Sequence, residues 1–451
     1  MIQARLSDLA LCADLKQIGA NVEFSGIDID ARRLQQGALF VALKGTYHDG
    51  HNYLDQAQAN GAVAALVARP IPSSSLPLLI ADDVVWSLGE LASYWRQRCQ
   101  IPMIAVLGSN GKTTVKELIA AILRQQHGEA VLVTKGNQNN AIGLPLTLFG
   151  LNQQHQAAVV ELGASGPGEI MRLGEIARPN VAVITNAGLD HIVGFGGVEG
   201  AARANGEVFA TMTSNGIAVL NGDDSCLSIW QQQAANLSCL RFGFNSTVDV
   251  RGYWLAGVDA NQLKIDSPWG RIETRFSLMG KHNALNALAA AAVCLSQGVD
   301  RRMIEAGLSA AQPVTGRLQS VIGLAGAQII NDTYNANPSS LLAALETLVT
   351  FSGKKLLVLG DMAELGDDAK TWHQWAGRIA GLMGVDQLLT IGELSAEAAA
   401  SFGRVADHFE NDDELVAALL PRLDADVTVL VKGSRCMAME KIVSQLALTI
   451  P

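Results

Sequence analysis

Cysteine is scarce in this sequence, six residues in 451, and Cys12, Cys99, Cys226, Cys239, Cys294 and Cys436 form no CxxC pair and no metal-ligand spacing. That argues against a disulfide scaffold or a zinc site and predicts buried thiols in a reducing compartment, Cys12 among the core residues. Dense basic clusters are missing too. The net charge is -10, and nothing in the chain would grip a phosphodiester backbone, which argues against nucleic acid as a partner. No apolar run is long enough to span a bilayer, because the longest uncharged stretch, 283–299, contains Asn283, Asn286, Ser296 and Gln297. The N-terminus meets Asp8 and Asp14 before any long apolar run, so it reads as no signal peptide, and the bulky Leu11 before Cys12 makes a poor lipoprotein signal. A cytoplasmic protein is expected. A GxGxxG fingerprint is also absent, which argues against a dinucleotide cofactor.

What is present is a long, apolar-rich chain, 49% hydrophobic, sufficient for about three domains, each with its own core. Its organising stretch is 104–123. Ile104 to Leu107 reads as a buried parallel strand; Gly108-Ser109-Asn110-Gly111-Lys112-Thr113-Thr114 is a turn; and Val115, Leu118, Ile119, Ile122 and Leu123 share one face of the helix that follows. Glycines let the backbone approach a phosphate, the helix N-terminus presents free N–H groups, Lys112 adds charge, and the Thr113 hydroxyl is suited to Mg²⁺. The loop is therefore expected to hold a nucleotide triphosphate. Its spacing, GxxGKT, is shorter than the usual GxxxxGK[ST], since the first loop glycine is Gly108, only three positions before Gly111.

An α/β chain of three domains is predicted: a small α/β domain at 1–82, a central parallel-sheet ATP-binding domain at 83–312 and a Rossmann-like domain at 313–451. In the first, Phe24 to Arg32 alternates as a strand does, Leu39 to Leu43 is a second strand ending at Lys44-Gly45, and Asp49-Gly50-His51-Asn52-Tyr53 opens a helix running through Ala57, Gly61 and Ala62. These polar residues suit either a small ligand or plain solvated caps. Pro70 to Pro77 reads as a surface connection.

In the central domain, Ala157 to Val160 delivers Glu161 to the C-terminal edge of a sheet, where open α/β sheets bind ligands. Val181 to Thr185 delivers Asn186 and then Asp190-His191. Glu161 and Thr113 with phosphate oxygens suit Mg²⁺, and His191 is a candidate second-site ligand or a hydrogen-bonded turn residue. Lys135-Gly136-Asn137-Gln138-Asn139-Asn140 is a donor-rich loop before a helix beginning near Pro145. Asn283, after Gly280-Lys281-His282, is either a contact to a base edge or an N-cap. In the last domain three strands end in polar clusters: Asp332 to Pro338, Gly360 to Gly366, and Lys432-Gly433-Ser434-Arg435. They share one sheet edge facing the central domain.

GSNGKTT, Glu161-Leu162-Gly163, the His191 segment, His282-Asn283, Gly316-Arg317 and these C-terminal clusters together resemble the Mur ligases, ATP-dependent amide ligases of cell-wall precursor synthesis. The resemblance spans all three domains. DTYNANP, LGDMAELG, LVKGSR and GNQNNAIG resemble the branch that joins D-alanyl-D-alanine to a UDP-N-acetylmuramoyl-tripeptide, giving ADP and phosphate. The likeness implies ATP and Mg²⁺, an acyl phosphate on the tripeptide carboxylate, and attack by the dipeptide amine. It implies that Gly108, Ser109, Asn110, Gly111, Lys112, Thr113 and Thr114 hold the phosphates, with Thr113, Glu161 and His191 on metal and Lys112, Glu161, His191 and Arg317 catalytic. It places Asn283 near adenine, Arg317 near the γ-phosphate and Asp332 near the ribose. Lys44, Asp49, His51 and Asn52 fall on the UDP-sugar side, Asn137, Asn139 and Asn140 among the substrate contacts, and Asn335, Asn337, Lys432, Ser434 and Arg435 towards the dipeptide. A monomer acting without nucleic acid or membrane insertion is expected.

Two positions depart from that pattern. Asn205 stands where the family usually has a carbamylated lysine, an anionic metal ligand, and Asp30-Ala31-Arg32 lacks the usual middle serine. The first departure motivates an alternative, a catalytically impaired protein that binds ATP and the muramoyl nucleotide without turnover. A related ligase of folylpolyglutamate or cyanophycin type is a third reading, against which the DTYNANP and LGDMAELG clusters count.

Overall fold

Uninterrupted aliphatic runs become strands covered on both faces: Met103–Leu107, Ala157–Glu161 and Val181–Ile184 are buried along their whole length. The computed structural model, which describes residues 1–189, 192–257 and 261–448, places them side by side in a nine-stranded sheet. Across it the order is Gly270–Phe276, Asn261–Ser267, Val250–Leu255, Ser238–Gly243, Ile217–Asn221, Val181–Ile184, Met103–Leu107, Ala157–Glu161 and Val131–Val133. Pairing is parallel except at the Asn261–Ser267 and Gly270–Phe276 strands. Glu161 pairs with Val106 and Ile184 with Leu107, so the three strands end together and deliver Gly108, Glu161 and Thr185 to one edge.

Two apolar layers clamp this sheet. On one face Ile104 and Val106 pack with Val115, Leu118 and Ile122 of the Lys112–His127 helix and with the Lys281–Ser296 helix. That alanine-rich helix is buried nearly all round, as a helix without a polar face must be. On the other face Met103, Ala105 and Leu107 pack with Leu144, Leu148, Ile170 and Leu173, in a core continuous with Ile2, Leu6, Leu39 and Leu66 of the N-terminal part.

The N-terminal part carries a five-stranded sheet, Lys16–Ile18, Leu78–Ile80, Ala64–Val67, Leu39–Val41 and Ile27–Asp28, antiparallel only at its first pair. The C-terminal part carries six strands, Gln319–Ile322, Gln328–Asp332, Val427–Lys432, Lys354–Gly360, Gln387–Ile391 and Val405–Phe409, parallel after the first pair. Apolar clusters cover both of its faces. The α/β architecture with a largely parallel central sheet and a Rossmann-like C-terminal sheet agrees with the sequence reading.

Several local expectations need correction. The alternation from Phe24 to Arg32 is not one strand: Gly26, at φ 85°, breaks it into Glu23–Ser25 and Ile27–Asp28, which join different sheets. Beyond Asp28 the chain turns, with the Asp28 carboxylate accepting from Ile29 and Asp30 N–H and Asp30 paired with Arg32. After Asp49 comes a 3₁₀ turn, Gly50–Tyr53, and then a short helix, Leu54–Ala59, that stops before Gly61, at φ 106°. The 70–77 segment joins two neighbouring strands of the first sheet. The helix holding Pro145 runs Gly143–Leu148. Of the six free thiols, Cys99, Cys226 and Cys294 are buried, Cys12 is half-buried, and Cys239 and Cys436 are exposed. Among the described residues no helix is long and apolar enough to cross a membrane.

The Arg301–Ala310 helix crosses the Lys112–His127 helix at Gly307, where a Cβ would enter the backbone of Ile122. Gly307→Ala is expected to destabilise the chain by about 1–3 kcal/mol, despite alanine's better helix propensity, because neither backbone has room to yield. A lowered urea midpoint checks it.

Candidate active site

The loop after Met103–Leu107 is held by side chains reaching in from just beyond the Val181–Ile184 strand and from the Val198–Gly206 helix. Gly108, at φ 125°, donates its N–H to Asn205 Oδ1 at 3.0 Å. Asn110 N–H donates to Asn186 Oδ1 at 3.0 Å, while Asn186 Nδ2 and Thr185 Oγ1 both donate to the Asn110 carbonyl. Lys112 Nζ folds back onto the carbonyls of Gly108 and Ser109, at 2.6 and 3.0 Å. Gly111, at φ 83°, leaves no space for a side chain beside Asn286. The loop carbonyls are thus tied down behind it, and the first-turn N–H groups of the helix have no intrahelical partner and face outward.

Thr113, buried at the head of that helix, donates to Glu161 Oε2 at 2.9 Å, and Asn139 Nδ2 donates to Glu161 Oε1 at 2.8 Å. From the C-terminal part Arg317 Nη2 reaches Thr113 Oγ1 at 2.9 Å, and its guanidinium stacks 4.1 Å from the Tyr334 ring. Its Nε is buried without a partner. A buried, unpaired N–H on an arginine held against this loop fits a phosphate oxygen. The hydroxyl of Thr113 and carboxylate of Glu161 are hard oxygen donors of the kind Mg²⁺ takes with phosphate and water. Among the described residues no cluster of His, Cys, Asp and Glu forms a metal site by itself.

A second contact joins the same two parts: Asn337 Nδ2 donates to Asn110 Oδ1 at 3.0 Å. Between them lies a cavity of about 720 Å³. It brings together Ser109, Asn110, Gly111, Lys112, Thr114, Asn137, Asn139, Glu161, Asn283, Arg317, Asp332, Asn335, Asn337, Lys432, Ser434 and Arg435 from the sequence-derived set. Lys432 is buried, with Nζ at 2.6 Å from Asp332 Oδ2 and 2.9 Å from the Asn335 carbonyl. Ser434 Oγ accepts from Ala363 N–H, and Arg435 pairs with Glu440.

Other predicted residues lie apart from this cavity. Asn140 caps the Gly143–Leu148 helix, its Oδ1 accepting from Ile142 and Gly143 N–H. Asp49 and His51 sit in the N-terminal part beside Lys44 and Asn52. Both His51 nitrogens are engaged, Nδ1 with Asp49 Oδ1 at 2.6 Å and Nε2 accepting from Ala68 N–H. The His51 backbone and side-chain hydrogen bonds hold Asp49 below the usual carboxylate range. Asp190 and His191 lie outside the described residues.

Asn283 is no N-cap, because its helix starts at Lys281; its Nδ2 donates to the Met279 carbonyl and its Oδ1 accepts from Asn286. Asn205 gives its carbonyl oxygen to the phosphate loop and its amide to the Ala201 carbonyl. Sequence reasoning missed Thr185, Tyr334 and His282 as site-forming residues, although each adjoins a motif it had singled out. His282 lines the cavity, and burial pushes its imidazole down to about 4, against the opposing pull of Asp332. It is neutral at pH 7.

Three family models match the chain: the Mur ligase family catalytic domain at 23–85, the Mur ligase middle domain at 106–294 and the Mur ligase glutamate ligase domain at 316–435. The UDP-N-acetylmuramoyl-tripeptide--D-alanyl-D-alanine ligase of Escherichia coli K12 is 38% identical over 451 residues, covering 99% of each chain. The ligase of the same name from Bacillus subtilis is 35% identical over 93% of each. A crystal structure of MurF from Acinetobacter baumannii superposes with a TM-score of 0.93 at 32% identity over 99% of both chains. MurF from Thermotoga maritima in complex with ADP gives 0.83 at 27%, covering 93% of this chain and 96% of that one.

Two outcomes are expected of this geometry. Asn205→Ala leaves the Gly108 N–H buried and unpaired, a cost of about 1–3 kcal/mol; weaker ADP binding by calorimetry checks it. The His282 imidazole has a folded pKa below its ordinary 6.5, so between the two values only the unfolded chain binds the proton. Stability is therefore full above 6.5 and is lost as pH falls towards 4. Urea midpoints measured over that range should fall more steeply for the parent than for His282→Gln.

Proposed function

The chain belongs to the Mur ligase family, and we propose on that premise that it joins D-alanyl-D-alanine to UDP-N-acetylmuramoyl-tripeptide, ATP-dependently, in peptidoglycan precursor synthesis. The observation that carries this reading is the shared cleft: a phosphate loop on one side, and on the other the Asn335–Asn337 and Lys432–Arg435 clusters, bridged by Arg317 on Thr113. Full-length likeness to ligases with that printed name supports the substrate assignment.

On this reading the loop N–H groups, Lys112 and Arg317 receive the phosphates of ATP, Lys112 leaving its resting bonds to the loop carbonyls to do so. Thr113 and Glu161 would hold Mg²⁺, which neutralises phosphate charge as it develops. Asn283 is assigned to the adenine side and Asp332 to the ribose. The tripeptide carboxylate takes the γ-phosphoryl group, forming an acyl phosphate; the neutral dipeptide amine then attacks the acyl carbon and phosphate departs. No protein nucleophile is required. The chain positions the two substrates and neutralises charge. The N-terminal part, with Lys44, Asp49 and Asn52, is assigned the UDP-sugar, and the C-terminal cluster the dipeptide. His191 keeps its proposed place beside the second metal position.

The cleft is assembled by one chain, in keeping with a monomer, and its ATP and nucleotide-linked precursor suit the cytoplasm. The middle domain model and the ADP-bound relative support the nucleotide assignment. Asn205 has a job in holding the loop, so its identity does not require an inactive protein.

Phosphate release with ATP, Mg²⁺, UDP-muramoyl-tripeptide and D-alanyl-D-alanine should require both substrates, and Lys112→Ala should lower the rate by about a hundredfold or more. Asn205→Lys with bicarbonate is expected to be no faster than the parent. A silent parent beside an active lysine variant would overturn the reading in favour of an impaired ligase.

A further inference from the structure

One lysine of the phosphate-loop helix does not face solvent or the cleft. Lys116 follows Thr113 by three positions, on the same helix face, and its side chain is 1% exposed. A buried ammonium is expensive to desolvate unless its partners are well placed. Its partners here are the Thr134 carbonyl at 2.8 Å and Glu117 Oε1 at 3.0 Å.

Thr134 is itself 1% exposed. Its N–H donates to the Val159 carbonyl, and its Oγ1 accepts the N–H of Glu161 at 3.0 Å. A closed circuit results: from Thr113 to the Glu161 carboxylate, from the Glu161 N–H to the Thr134 hydroxyl, and from the Thr134 carbonyl to Lys116, back on the helix that began it. The Thr113 hydroxyl and Glu161 carboxylate are therefore set relative to each other through the main chain as well as through their own contact.

Resting on the nucleotide and Mg²⁺ assignment above, we infer that Lys116 and Thr134 are positioning residues that fix Glu161 against Thr113, so that both oxygens meet one divalent cation. Neither touches substrate. Groups that orient metal ligands typically change metal affinity by about 10–100-fold when removed.

Thr134→Val keeps the shape and deletes only the acceptor of the Glu161 N–H, and Thr134→Ser restores it. Lys116→Met removes the ammonium at nearly constant length. Binding of ADP alone, in chelator, is compared by calorimetry with Mn²⁺ binding to the ADP complex, read by electron paramagnetic resonance. For Thr134→Val and Lys116→Met we expect about tenfold weaker Mn²⁺ binding, ADP alone within about twofold, and Thr134→Ser like the parent. Mn²⁺ affinity equal to the parent in Thr134→Val overturns the inference, as does an equal loss of ADP and Mn²⁺, which marks general disruption. Should Lys116→Met fail to fold, the valine and serine pair still decides it. A parent that binds neither ADP nor Mn²⁺ instead overturns the nucleotide assignment itself.

Discussion

A phosphate-binding loop must leave its N–H groups free for an anion while its carbonyls, which would repel that anion, are satisfied elsewhere, and this constraint organises the centre of the molecule. Lys112 takes the carbonyls of Gly108 and Ser109, and Thr185 and Asn186 take that of Asn110. The remaining inward N–H groups are met by Asn205 and Asn186. Thr185 and Asn186 reach the loop because the parallel register ends the Met103–Leu107 and Val181–Ile184 strands at one edge. A slip of one residue would turn each strand's faces over and separate the set.

The same edge explains why the C-terminal part matters to the loop. Arg317 and Asn337 make hydrogen bonds to Thr113 and Asn110, across 204 and 227 positions of sequence. Both contacts are made to residues of the phosphate loop itself. The Thr113 hydroxyl that Arg317 holds is the one that donates to Glu161, and the Arg317 Nε is buried without a partner. The two parts are therefore joined at the loop through two side chains.

Polar residues elsewhere in the motifs serve the fold. His51 lies between Asp49 and the Ala68 N–H, and Asn140 caps a helix. A motif residue that already has its hydrogen-bonding groups filled contributes by shaping the backbone around it, and its neighbours are left to face a ligand. His282, with a depressed pKa and a place on the cavity wall, is of the opposite kind.

The chain's local pattern determined the strand, glycine loop and helix at 104–123 and the parallel α/β architecture, because each is written in neighbouring residues: aliphatic runs, glycine positions and helical spacing. It even determined that polar clusters would gather at strand ends, since each aliphatic run that forms a buried strand is followed directly by its polar residues. Only the tertiary structure decided that Asn205 serves the loop, that Arg317 lies on Thr113, that Lys116 is a buried brace, and that Gly26 splits one apparent strand between two sheets. These depend on which segments meet in space. A side chain's partner 97 positions away leaves no trace in the period or composition around it.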